Sequence, residues 1–142
     1  MQCVVDSSAA LAWVLPGEAT AATEKLLTAV GEVGALAPGL WPLETANVLW
    51  QAERRGRITL AERTQALAIL AELPIQIDER TAALAFGATS ALASGRGLTI
   101  YDACYLELAL RLSLPLASLD NDLCQAALAA GVRLILLSEA AC

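Results

Sequence analysis

The feature that most constrains this chain is its alternation of short, mostly apolar runs with longer stretches rich in Ala and Leu. The short runs are Cys3 to Val5, Ala35 to Ala37, Ile75 to Ile77, Leu116 to Ala117 and Leu134 to Leu136. They have the length of strands and are apolar enough to need cover on both faces. The longer stretches run from Ser8 to Leu15, Thr20 to Val30, Leu43 to Arg55, Leu60 to Glu72, Ala82 to Ser94, Tyr101 to Leu112 and Asn121 to Ala130, and read as helices. Pro16-Gly17, Pro38-Gly39, Pro74, Gly95-Arg96-Gly97, Pro115 and Gly131 fall between them, where chain-breaking residues belong. Strands separated by helices need crossover connections, so the pattern predicts an α/β fold with a short-stranded parallel sheet between helices.

At 142 residues and 57% hydrophobic content, without repeat or linker, the sequence reads as one domain over 1–142. No window approaches the roughly 20 uninterrupted apolar residues of a membrane span, which predicts a soluble protein. The first residues lack a basic start and carry Asp6 inside the apolar stretch, so they are read as mature protein and not as a secretion signal. Cys3, Cys104, Cys124 and Cys142 lie far apart with no C-x-x-C pair, as expected of reduced thiols in a cytoplasmic protein. The formal charge is −6 and there is no histidine, which excludes every mechanism that needs imidazole. Any chemistry must use carboxylates. A nucleic-acid substrate would have to be met by a local basic patch or by bound cations.

In parallel sheets the ligand crevice lies outside the carboxyl ends of the strands. Asp6 ends the first strand in CVVDSS, and Asp120 ends the fourth in PLASLD. Glu44 in LWPLETANVLW and Asp102 in LTIYDACYLELAL interrupt apolar stretches near helix starts, and Asp122 follows Asp120 closely. Each has an ordinary explanation: Asp6 and Asp120 as N-caps worth about 1 kcal/mol, the others as charges favoured by the helix dipole. These explanations do not account for Glu44 and Asp102 on apolar faces, where an unpaired charge is costly to desolvate. Gathered at one sheet edge, the four repel one another. Two unit charges about 4 Å apart cost roughly 4 kcal/mol at an effective dielectric near 20. Hard divalent cations such as Mg²⁺ or Mn²⁺ relieve this, prefer oxygen ligands, and activate water against phosphodiesters.

VVDSSAALAW around Asp6, WPLETANVLWQAERRGRIT around Glu44, LTIYDACYLELALR around Asp102 and LASLDNDLCQAALAAGV around Asp120 together resemble the PIN-domain ribonucleases, specifically the VapC-type toxins of toxin-antitoxin pairs. The resemblance covers essentially the whole chain. It implies a three-layer α/β/α sandwich, an Mg²⁺ or Mn²⁺ site, endonucleolytic cleavage of RNA, a homodimer and a cognate antitoxin protein that inhibits it. By position it carries the catalytic roles onto Asp6, Glu44, Asp102 and Asp120, and the metal onto Asp6, Asp102 and Asp120 with Asp122 as a further member. Ser118 stands where many relatives have threonine, and keeps the hydroxyl. Ser7, after the first acid, is a supporting candidate.

Other classes fit less well. A haloacid-dehalogenase-type phosphatase needs a second acid two residues after the first, where this chain has Ser8, and a phospho-receiver needs a pocket lysine, whereas Lys25 reads as solvent-facing. A PIN-like scaffold that binds RNA or protein without cleaving remains open. Arg54, Arg55 and Arg57 are candidates for RNA phosphate contact, with helix termination beside Gly56 as the plainer reading. Trp13, Trp41 and Trp50 read as core or dimer contacts before base-stacking platforms.

Overall fold

The computed structural model describes residues 1–137. Cys142 lies outside them. A parallel sheet of β1 (Val4–Val5), β2 (Ala35–Ala37), β3 (Ile75–Ile77) and β4 (Leu116–Ala117) is ordered β3-β2-β1-β4, which puts β1 at its centre. Val4 pairs with Leu36 on one side and with Leu116 on the other. Val4, Val5, Leu116 and Ala117 are inaccessible to solvent, as consecutive apolar residues in a doubly covered strand must be.

The helices are α1 (Ser7–Leu11), α2 (Ala21–Val33), α3 (Trp41–Arg54), α4 (Leu60–Glu72), α5 (Thr81–Leu84), α6 (Ser90–Arg96), α7 (Ile100–Leu112) and α8 (Asn121–Ala129). α3 packs on α1 and α4, and α7 packs on α6 and α8, completing the three-layer α/β/α sandwich. Starts follow local chemistry. Thr20 with Thr23 and Thr59 with Glu62 form capping boxes, and the Thr99 hydroxyl accepts from the Asp102 N–H to open α7.

Three expectations change. Leu134 to Leu136 is not a strand: Leu134 makes one parallel bridge to Leu116. The carbonyls of Pro115 and Ala117 accept from the N–H groups of Val4 and Asp6, so only Leu116 faces outward, donating its N–H to the Arg133 carbonyl and accepting from the Ile135 N–H. A strand as short as β4 offers no second rung, and Leu136 is 68% exposed. The stretch Ala82 to Ser94 is interrupted by a π-helical turn, Ala85–Thr89, between α5 and α6. Gly87 in that turn has open space around it and weak helix propensity. The wider turn leaves Phe86 exposed while Thr89 and, four residues on, Ala93 are buried. Finally, α1 ends at Leu11 instead of Leu15, several residues before Pro16.

Cys3, Cys104 and Cys124 are buried, and no disulfide joins one of them to another. Burial pushes the Cys3 and Cys104 thiols up to about 11, so both are protonated at neutral pH. Lys25 is exposed on α2, as its neighbours suggested. Among the described residues no helix is long and apolar enough to cross a membrane.

Candidate active site

Strands β1 and β4 are neighbours, so the segments leaving their carboxyl ends run side by side, and hydroxyl groups lace them together. Asp6 is the N-cap of α1 and only 4% exposed. Its Oδ1 accepts from the Ala9 N–H at 2.9 Å and from the Ser8 hydroxyl at 2.7 Å. Its Oδ2 accepts from the Ser118 hydroxyl at 2.5 Å, across the two strands. Ser118 in turn accepts from the Asp120 N–H at 2.9 Å, and Ser8 from the Leu119 N–H at 2.9 Å. Asp120 caps α8, its Oδ1 accepting from the Leu123 N–H at 3.0 Å. Both aspartates are therefore helix caps, and both also face the shared edge. The capping and cluster readings of the sequence are not alternatives.

Asp102 sits in the first turn of α7 and Glu44 in the first turn of α3. The Tyr105 hydroxyl, one turn beyond Asp102, donates a short hydrogen bond to Glu44 Oε1 and ties the two helices together at the site. Burial raises the Asp6 carboxyl to about 6; the hydrogen bonds from Ser118, Ala9 and Ser8 oppose the rise, and the Asp120 charge adds to it. Burial also raises Asp102, followed by the charges of Asp120, Glu44 and Asp122. The Tyr105 phenol is held neutral by burial, by the bond to Glu44, and by the Glu44 and Asp6 charges. The structure thus brings Asp6, Glu44, Asp102 and Asp120 within electrostatic reach of one another, with Asp122 exposed at the rim.

No basic side chain is hydrogen-bonded or ion-paired to Asp6, Glu44, Asp102 or Asp120 in the described structure. The donors are all oxygens, the set that Mg²⁺ and Mn²⁺ favour. Among the described residues no three of these side chains converge closely enough to hold a metal as they stand. Asp6 accepts from hydroxyls and a backbone amide and Glu44 from Tyr105; these neutral donors fix the carboxylates in place without supplying a charge to offset their mutual repulsion.

Two participants were not anticipated. Ser8, not Ser7, holds Asp6, while the Ser7 hydroxyl bears on Tyr105. Tyr105 itself could have been found: a tyrosine three residues after Asp102 in an apolar helix needs a partner for its hydroxyl when buried.

The three arginines separate. Gly56, with φ of 72°, lets the Arg57 N–H reach the Ala52 carbonyl and its own N–H the Glu53 carbonyl, so backbone bonds end α3. Arg54 lies over the exposed Trp50 ring at 5.9 Å, and Arg63 over the same ring at 5.2 Å. Arg55 and Arg57 are exposed beside a groove of about 330 Å³ between α3 and the segment after α1. Trp41 is in the core and Trp13 half-buried, its indole N–H given to the Thr23 carbonyl.

Comparison with known proteins gives one answer at every level. Residues 3–129 match the PIN domain family. Ribonuclease VapC3 of Pyrobaculum aerophilum is 33% identical over 125 residues, covering 88% of this chain and 94% of that protein. The crystal structure of PAE2754, also from Pyrobaculum aerophilum, superposes with a TM-score of 0.69 at 25% identity, over 95% of this chain and 90% of that one. The Mycobacterium tuberculosis toxin VapC20, which cleaves the sarcin-ricin loop, shares the fold with a TM-score of 0.64 at 21% identity, over 87% and 94% of the two chains. FitAcB from Neisseria gonorrhoeae matches with a TM-score of 0.64 at 15% identity, over 96% and 97%. The family match, the identity to a VapC ribonuclease over nearly the whole chain and the shared fold together show that this chain belongs to the PIN domain family, among its VapC-type members.

Proposed function

We propose that this chain is a divalent-metal-dependent endoribonuclease, the toxin of a toxin-antitoxin pair, acting in the cytoplasm as a homodimer. One observation carries the reading: a buried Asp6 raised to about 6, together with Asp102, Asp120 and Glu44, at a sheet edge where no basic group pairs with them. Such a constellation is poised to take up a cation. Asp6, Asp102 and Asp120 would hold Mg²⁺ or Mn²⁺, with Asp122 joining from the rim. The bound ion would supply a water activated as nucleophile and charge to stabilise the leaving oxygen.

The chain's own groups set the conditions for that chemistry. Ser118 and Ser8 fix both oxygens of Asp6, so its orientation does not depend on the ion. Tyr105 aims Glu44, placing a carboxylate at the site to orient water and take a proton from it. The α1 and α8 N-termini are capped by Asp6 and Asp120, and their dipoles favour these two carboxylates in the charged form. An arginine or lysine delivered by an antitoxin could occupy the same carboxylates with charge-assisted hydrogen bonds, which makes inhibition and metal uptake competitive.

A scaffold that binds RNA or protein without cleaving is favoured by one fact, that the carboxylates do not converge to ligand distance as they stand. The test separates the two. Purified protein is incubated with total RNA and Mn²⁺, with and without chelator, beside Asp102→Asn, and RNA ends are mapped. We expect defined cuts that vanish in chelator and in the variant. Identical RNA ends in all samples would leave only the scaffold.

A further inference from the structure

We propose that the face of α3 running from Glu44 to Arg55 is the track along which single-stranded RNA leaves the carboxylate site, with its phosphates held by Arg55 and Arg57. The inference rests on the ribonuclease reading and adds to it a binding site away from the acids. Glu44, Asn47, Gln51 and Arg55 follow one another at helical spacing, so they share a face of α3. At 1.5 Å per residue, Arg55 stands about 16 Å along the axis from Glu44, a span of a few nucleotides. Asn47, Gln51, Arg55 and Arg57 line the groove described above together with Val48 and Ile58, and Glu18 lines it as its one acid, so the two arginines leave it net positive.

The chemistry changes along that face in the order an RNA strand requires. Carboxylates stand at one end, amides that can read base edges in the middle, and guanidiniums that suit phosphate at the other. Neither Arg55 nor Arg57 enters an ion pair among the described residues, and α3 ends through the backbone bonds of Gly56 and Arg57 without them. Gly56 turns the chain back so that Arg57 lines the groove together with Arg55. In a chain of net charge −6, two unpaired arginines beside one groove are the local positive charge that an anionic substrate needs. Arg54 differs: it points to the Trp50 ring, which it shares with Arg63, and does not line the groove.

The test is binding of a fluorescent single-stranded RNA of mixed sequence, roughly 12 nucleotides long and within the span of single-strand sites. Anisotropy is followed at several salt concentrations in chelator, so no cleavage runs. Arg55→Ala with Arg57→Ala is expected to weaken binding about tenfold or more and to lower the slope of log K against log salt by roughly 1.4, two single-strand phosphate contacts. Arg54→Ala is expected to stay within about twofold of wild type, and Arg55→Lys with Arg57→Lys to retain most of the slope. An unchanged slope in the double alanine variant, or an equal loss in Arg54→Ala, overturns the track while wild-type cleavage leaves the ribonuclease reading intact. Normal RNA binding by the double variant at every salt concentration also overturns it. A metal-free wild-type chain that binds no RNA overturns the track alone, because the ribonuclease reading is tested separately by metal-dependent cleavage.

Discussion

Two groups of acids in this molecule are built from the same residue types and have opposite electrostatics. At the first, Asp6, Glu44, Asp102 and Asp120 meet only neutral donors among the described residues, and both Asp6 and Asp102 are raised. At the second, Arg111 near the end of α7 binds Glu107 one turn earlier at 2.9 Å and Asp78 after β3 at 2.7 Å. Burial pushes Asp78 up, but the hydrogen bonds and charge of Arg111 outweigh it and its carboxyl lies below the ordinary range. Thr81 extends this second group, donating weakly to Asp78 and accepting from the Gly39 N–H at 2.8 Å just ahead of α3. The second group carries its own countercharge and joins elements of the fold; the first has none among the described residues.

The comparison predicts different losses. The largest is at the unbalanced group: Asp102→Asn or Asp120→Asn should lower RNA cleavage by more than about 100-fold, beyond the 10- to 100-fold typical of groups that only support a metal ligand. Folding stability should change little, as circular dichroism melting would show. Asp122→Asn, at the rim, should cost much less. Next comes Arg111→Ala, which should leave cleavage per folded molecule intact and destabilise the protein by about 2 kcal/mol in urea unfolding. That figure is discounted from a fully buried pair because the Arg111 side chain is 21% exposed. Loss of cleavage at constant fold in Arg111→Ala would erase the distinction between the two groups.

Smaller effects sharpen it. Ser118→Ala should lower cleavage about tenfold, since Asp6 Oδ2 loses its cross-strand donor, while Ser118→Thr should stay near wild type. Tyr105→Phe should cost about threefold through the freed Glu44, read as a fall in kcat at unchanged RNA affinity.

The sheet and the acids at its carboxyl edge were legible because each depends on local pattern: Val4-Val5 and Leu116-Ala117 as buried runs, and Asp6 and Asp120 as the residues that follow them. What makes the edge a site was not legible. The Ser118-to-Asp6 bond joins residues 112 apart, and the bond from Tyr105 to Glu44 joins residues 61 apart; no periodicity reports such pairs. Ser8 appeared only as a helix start and as an absent acid, although its hydroxyl holds Asp6. The π turn at Ala85–Thr89 was missed because Gly87 lowers helix propensity without saying that the turn widens. Arg54 and Arg55 looked equivalent as neighbours, yet about 100° of helical rotation sends one to Trp50 and the other to the groove.

The central claim is that the carboxylate edge is left uncompensated until it takes up a cation, and thermal unfolding of wild type and Asp6→Asn with and without Mn²⁺ tests it most directly. A carboxyl whose folded value is raised binds more protons folded than unfolded. Its contribution is therefore favourable at low pH and lost as pH rises from the ordinary 3.8 to about 6. Relative to Asp6→Asn, metal-free wild type should lose stability across that window, by at most about 3 kcal/mol, and should melt lower than the variant at pH 7. Asparagine keeps the capping role, so the variant still folds. Saturating Mn²⁺ should raise the wild-type melting temperature above that of Asp6→Asn and leave the variant nearly unchanged. Equal melting of the two proteins at pH 7 without metal, or equal stabilisation of both by Mn²⁺, would contradict the account.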